Sequence, residues 1–108
     1  MEKLSLSIIR KSYIFYRYFY LYRDNVNKQD RYSIWQKSEN LFMDIFENIY
    51  MASQTIQGDK LIILTETSIK LNFFKILIRL IKDIKILDNK KYIFFEELLD
   101  EIGRMLGG

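Results

Sequence analysis

The chain contains no proline, and before Gly103 its only glycine is Gly58. Strand-rich folds draw on these two residues at their turns, so a chain this poor in them is restricted to long helices joined by short links. Apolar residues recurring at three- and four-residue spacing predict helices over about residues 5–23, 33–53, 59–87 and 90–106. The polar stretch 24–30 separates the first two, and Ser33 with Gln36 reads as a capping box for the second. Residues 54–58 form the next link, and Asp59 reads as the cap of a third helix that spans about 42 Å at 1.5 Å per residue. Asp88 and Asn89 make the last link and supply the last cap. Short links between long helices force antiparallel neighbours. The expected fold is therefore all-α, an antiparallel up-down-up-down four-helix bundle, built as a single domain over residues 1–108.

Helical wheels place the side chains. On the first helix Ile8, Ser12, Phe15, Phe19 and Tyr22 share one face. Ile14, Tyr18 and Leu21 form a second apolar stripe, and the remaining wedge carries Arg10, Tyr13, Arg17 and Tyr20. On the third helix Ile62, Ile69, Phe73, Ile76, Leu77, Leu80, Ile84 and Leu87 read as the core stripe. Leu71, Phe74, Ile78 and Ile81 read as a second, and Lys75, Arg79 and Lys82 occupy a third wedge. A small bundle needs about one apolar stripe per helix. The surplus stripes, Ile14, Tyr18 and Leu21 with Leu71, Phe74, Ile78 and Ile81, are therefore expected to pack between sister copies, because large exposed apolar patches are rare on monomers. Gly103 joins that packing set: glycine costs about 1 kcal/mol against alanine inside a helix, which suggests that another backbone comes close there.

Charge is segregated along the chain. Residues 1–31 balance to +4, residues 32–58 to −2, residues 59–91 to +4 and residues 92–108 to −3, for a net +3. In a square bundle this alternation pairs each basic helix with acidic neighbours. The functional reading of the same pattern is that basic wedges face outward and contact an acidic partner, RNA or DNA among them: Lys75, Arg79 and Lys82 on the third helix, and Arg10 and Arg17 on the first, where Arg10 and Arg17 suit phosphates and Tyr13 and Tyr20 suit exposed bases. Tyrosine and arginine are equally enriched in protein interfaces, so this stripe does not separate RNA from protein.

Other chemistry is missing. With no cysteine and no histidine, disulfides, thiol chemistry, the usual zinc sites and histidine acid–base catalysis are excluded. The neighbouring carboxylates Glu96–Glu97 and Asp100–Glu101 point about 100° apart on a helix and do not converge on one site. Glu66 falls within the expected core stripe of the third helix and reads as an exposed helix start. No glycine-rich phosphate loop is present. The expectation is a protein that is not an enzyme and needs no cofactor or metal. The beginning of the chain lacks the apolar core of a signal peptide, and residues 71–81 are interrupted by Lys75 and Arg79, too charged to span a membrane. A cytoplasmic location without membrane contact is expected.

Three segments carry a family resemblance. Residues 98–108 (LLDEIGRMLGG) are an amphipathic helix that accepts Gly103 and closes on Gly107 and Gly108. Residues 31–40 (RYSIWQKSEN) run from an arginine through an aromatic residue, a serine and an aliphatic residue to a glutamine, a lysine and a Glu-Asn pair. Residues 87–92 (LDNKKY) place a capping residue four positions before a tyrosine. Over roughly residues 28–108 the chain resembles the Avd-like four-helix-bundle proteins, the accessory factors of diversity-generating retroelements. The resemblance implies a homopentameric barrel, association with the retroelement's reverse transcriptase, and contact with its template RNA during the error-prone cDNA synthesis that diversifies a target gene. It assigns nucleic acid and enzyme to the basic bundle surface, which here means Lys75, Arg79 and Lys82, then Arg10 and Arg17. The broader bundle family encoded in intervening sequences of ribosomal RNA genes implies the alternative, a structural or RNA-associated bundle without a polymerase partner. Trp35 and Ser38 depart from the family pattern, which usually has a small and an aliphatic residue there.

Overall fold

A computed structural model describes residues 2–107, with side chains from Leu6 to Gly107; Gly108, half of the expected terminal stop, lies outside the described residues. Four rods make up the chain. α1 is Glu2–Tyr22 and is followed by a 3₁₀ turn, Arg23–Asn25. α2 begins as Lys28–Asp30, passes through a π-helical turn, Arg31–Trp35, and continues as Gln36–Ser53. α3 is Gln57–Asp83 and α4 is Asn89–Gly107. α1 packs on α2 and α4, and α3 packs on the same two, giving a square arrangement 43 Å long and about half as wide. No strand occurs among the described residues.

The ends of these rods differ from the sequence reading in two places. α2 starts before Ser33. Asn27 caps it by accepting a hydrogen bond from the backbone N–H of Asp30 at 3.0 Å, while its side-chain amide donates to the Asp30 carboxylate at 2.8 Å. The helix is thus capped by a single Asn side chain more than a turn before Ser33. Ser33 lies inside the helix and donates its hydroxyl to the Gln29 carbonyl at 2.8 Å. Arg31 then fixes the corner, donating to the carbonyls of Arg23 and Val26. α3 begins at Gln57, so Asp59 sits in its first turn rather than capping it, where its charge complements the helix dipole. α3 also stops at Asp83. Lys85 takes a left-handed conformation (φ 71°), and the N–H groups of Ile86 and Lys85 bond the carbonyls of Ile81 and Lys82, both at 3.0 Å. This is a Schellman ending with lysine where glycine is usual. Asp88 caps α4 as expected, accepting from the N–H of Lys91 at 2.7 Å.

The core is aromatic. Phe15 and Phe19 of α1 are fully buried, with Trp35 and Phe42 of α2, Phe74 of α3 and Phe95 of α4. Ring centroids lie 4.5 Å apart for Phe15–Phe42, 5.3 Å for Phe15–Phe95, 4.2 Å for Phe19–Trp35 and 5.7 Å for Phe19–Phe74. Each such pair adds about 0.5–1.5 kcal/mol beyond its area burial, so α1 is tied to all three other rods. The core face expected for α1 is the one observed: Ile8, Ser12, Phe15 and Phe19 are buried.

On α3 the two stripes are exchanged. Leu71, Phe74, Ile78 and Ile81, expected between sister copies, form this chain's own core. Ile62, Ile69, Phe73, Ile76, Leu80 and Ile84, expected as core, are all exposed, from 42% at Leu80 to 69% at Ile62. Leu77 and Leu87 alone of that set are buried. The physical reason is polar content. The outer stripe includes Glu66, whose carboxylate would lose its hydration in the core. The inner stripe carries only Thr67, which satisfies its hydroxyl on the Ile63 carbonyl at 2.6 Å.

Gly103 lies beside α3 within its own chain. A Cβ there would meet the Leu71 side chain at 3.6 Å and the Lys75 amine at 3.7 Å, both ordinary contacts within one chain. Within the chain it faces side chains of α3 rather than a backbone.

Candidate functional site

No group of histidine, cysteine and acidic side chains among the described residues has a metal-binding arrangement. No helix among them is long and apolar enough to cross a membrane. The candidate site is the surface, which divides into two apolar faces and two basic ones.

The first apolar face is the outer stripe of α3. It leans toward α2: Phe73 shares a shallow cleft with Lys37, Asn40, Leu41 and Asp44, and Glu66 accepts a hydrogen bond from the Asn48 side chain at 3.2 Å. Glu66 is also paired with Lys70 at 3.3 Å, and the Asn48 bond, first, and that lysine hold its carboxyl below the usual range. The second apolar face joins α1 to α4. Tyr18 and Leu21 are exposed, Ile14 is half-buried beside them, and the Tyr18 ring meets Phe94 of α4 edge-on at 5.2 Å, with Ile93 exposed nearby in sequence. Ile14, Tyr18 and Leu21 thus occupy the surface position that their wheel predicts. Because α1 neighbours α4 and α3 neighbours α2 around the square, the two faces look in opposite directions.

The basic ridge of α3 is already occupied. Lys75 binds Asp100 of α4 at 2.8 Å, Arg79 binds Asp83 at 3.4 Å, and Lys82 lies 4.0 Å from Asp83 with its amine 5.1 Å from the Tyr92 ring centre. Lys11 binds Glu101 of α4 at 3.1 Å. The alternation of charge between neighbouring helices therefore has a local use, at about 0–1 kcal/mol for each exposed pair. Arg10 and Arg17 of α1 differ. Both are exposed, and neither has a carboxylate within ion-pair reach among the described residues; Arg17 rests beside the Tyr18 ring at 5.7 Å.

One charged group was missed by sequence reasoning. Glu39 is buried (6% exposed), accepts a hydrogen bond from the Trp35 indole N–H at 3.2 Å and lies 3.5 Å from Arg23 Nε. Burial pushes its carboxyl above the usual range, against the pull of Arg23 and Trp35. Burial, and then the Glu39 charge, raise the neighbouring Tyr16 phenol. The signal was in the sequence: Trp35 and Glu39 stand four apart, on one helical face, and Trp35 faces the core.

The family model described as bAvd-like matches residues 6–108. No curated protein and no solved structure matches the chain significantly.

Proposed function

Because this chain belongs to the bAvd-like family, we propose that it is a non-catalytic accessory subunit that assembles with copies of itself and holds a retroelement reverse transcriptase together with its template RNA. The observation that carries the reading is the pair of apolar faces on opposite sides of one small bundle. An unpartnered stripe such as Ile62–Ile69–Phe73–Ile76–Leu80–Ile84 amounts to several hundred Å², the size at which an apolar patch marks an interaction site. A two-fold dimer buries one patch against itself and leaves the other in water. Two unlike faces pointing apart suit a head-to-tail contact, which closes into a ring. Five copies is the number the family resemblance supplies.

In such a ring the α1–α4 face of one copy, with Ile14, Tyr18 and Leu21, meets the α2–α3 face of the next. The remaining surfaces carry the basic groups and are left for partners. Lys75, Arg79 and Lys82 would reach an acidic patch of the polymerase by exchanging their present carboxylates, a swap of weak exposed pairs.

Native mass spectrometry of the purified protein tests the assembly, with a five-copy particle expected and a monomer at micromolar concentration counting against the proposal. Co-purification with the reverse transcriptase encoded beside it tests the partner. A gene lying inside a ribosomal RNA intervening sequence, with no polymerase nearby, would favour the structural bundle reading instead.

A further inference from the structure

Charge left over within the chain is sorted by side. Between Leu6 and Arg23 there are four basic residues and no acidic one. Lys11 and Arg23 are taken up by Glu101 and Glu39. Arg10 and Arg17 are exposed and have no carboxylate partner among the described residues. The neighbouring rod α2 is the reverse case. Past its wide turn it carries Glu39, Asp44 and Glu47 against a single base, Lys37. Glu39 lies inside, while Asp44 and Glu47 are exposed and have no ion-pair partner among the described residues. The two arginines and the two carboxylates do not meet, because they occupy the far flanks of their rods. Arg17 rests beside Tyr18, whose ring touches Phe94 of α4, and Arg10 stands two turns away on the same line. That flank borders the α1–α4 face. Asp44 lines the cleft that holds Phe73 of α3, and Glu47 stands one turn further along. That flank borders the α2–α3 face.

We infer that Arg10 and Arg17 of one copy pair with Glu47 and Asp44 of the next, and that these pairs fix the order and the height at which copies join. The inference rests on the head-to-tail reading above. When the α1–α4 face of one square bundle meets the α2–α3 face of another, α1 lies against α2 and α4 against α3, because those rods are neighbours around the square. Both seams then join a basic rod to an acidic one. The heights agree as well. Contact along the whole outer stripe, Ile62 to Ile84, keeps the rods side by side, so the ring axis runs along them and each residue keeps its level. Phe15 packs on Phe42 at 4.5 Å, which sets a level common to α1 and α2. Arg10 and Glu47 both lie about 7.5 Å to the same side of it. Arg17 and Asp44 lie about 3 Å to either side of it. Side chains tilt toward the N-terminus of their own helix, so on these antiparallel rods Arg17 and Asp44 lean toward each other. Apolar stripes draw two bundles together without forbidding them to slide; matched charges at the rim set the register.

Sedimentation velocity of the intact protein over a range of concentrations, backed by native mass spectrometry, tests this by charge exchange. Arg10→Gln with Arg17→Gln removes both pairs and should weaken each subunit contact by about 2- to 30-fold. It should also make assembly less sensitive to added salt than it is in the parent. Arg10→Glu with Arg17→Glu, and separately Asp44→Lys with Glu47→Lys, set like charges against each other at every α1–α2 seam and should each weaken the contact further. A chain carrying all four reversals should assemble like the parent, since the pairs are rebuilt with their signs exchanged. Helical circular dichroism should stay the same throughout, because all four side chains are exposed. If reversal on one rod leaves the particle intact, or the fourfold variant assembles no better than either half, the inference is overturned and the ring reading stands. If the glutamate variant stays assembled but loses the polymerase in co-purification, the arginines serve that partner and the inference is likewise overturned. A parent protein that is a monomer at micromolar concentration would take the ring reading down with it.

Discussion

α3 carries two stripes of nearly the same composition with opposite fates. Leu71, Phe74, Ile78 and Ile81 are inside the bundle, while Ile69, Phe73, Ile76 and Leu80 on the same rod stand in water. Apolar content therefore does not decide which side of a helix is core. The polar residue that each stripe includes does: a carboxylate at Glu66 holds one stripe outside, and a self-satisfied threonine hydroxyl at Thr67 is accepted within the other.

The sharpest way to break this comparison is to truncate one phenylalanine on each side. Phe74→Ala should destabilise the folded chain by about 3–5 kcal/mol. Phe73→Ala should change the stability of a lone subunit by no more than about 0.5 kcal/mol. Urea melts at a concentration below assembly measure both, and equal losses would show that the two sides are not distinct. Charging the outer stripe comes next. Ile76→Glu with Leu80→Glu should turn an assembled particle into single subunits with the same helical circular dichroism; an unchanged particle would move the contact off this face.

Gly103→Ala, on the far flank of the inner stripe, should raise stability by up to about 1 kcal/mol through helix propensity alone. The added methyl makes only ordinary contacts with Leu71 and Lys75. A loss of stability or of assembly, read by melting and light scattering, would restore the view that something must approach this glycine closely.

The smallest effect concerns Glu39, the one carboxylate among the described residues that does lie inside. Its folded pKa is raised, chiefly by burial. The folded chain therefore holds that proton more firmly than the unfolded chain. Its contribution to stability is greatest below the ordinary carboxylate range and declines as pH rises through the raised value. Thermal melts between about pH 4 and 7 should show this slope in the parent and its loss in Glu39→Gln; an unchanged slope would assign it to another group.

Much of the architecture is legible in the residues. The scarcity of glycine and proline predicts the rods, and the alternation of charge predicts that basic and acidic helices lie side by side, as they do at Lys75–Asp100 and Lys11–Glu101. The inner face of α1 is legible because its rival stripe, Ile14, Tyr18 and Leu21, is shorter and carries no phenylalanine. α3 defeats the same method because both of its stripes are long and aliphatic, so counting favours the wrong one. Glu66 reads in isolation as an exposed helix start, yet it marks the whole stripe as outward. The basic ridge was legible as a ridge but not as an occupied one, since its carboxylates come partly from α4, 25 residues away in the case of Lys75 and Asp100. The true cap at Asn27 is hard to read because Ser33 offers a second, equally plausible cap six residues on.

The wide turn at Arg31–Trp35 has a consequence for how this rod tolerates change in length. It stores one residue beyond what an α-helical arc needs, and Phe42, Ile45 and Ile49 downstream still point inward. Shortening the chain by one position within 31–34 can be absorbed by tightening that arc. The same deletion within 38–52 would swing every later side chain by about 100° and expel the aromatic centre from the bundle.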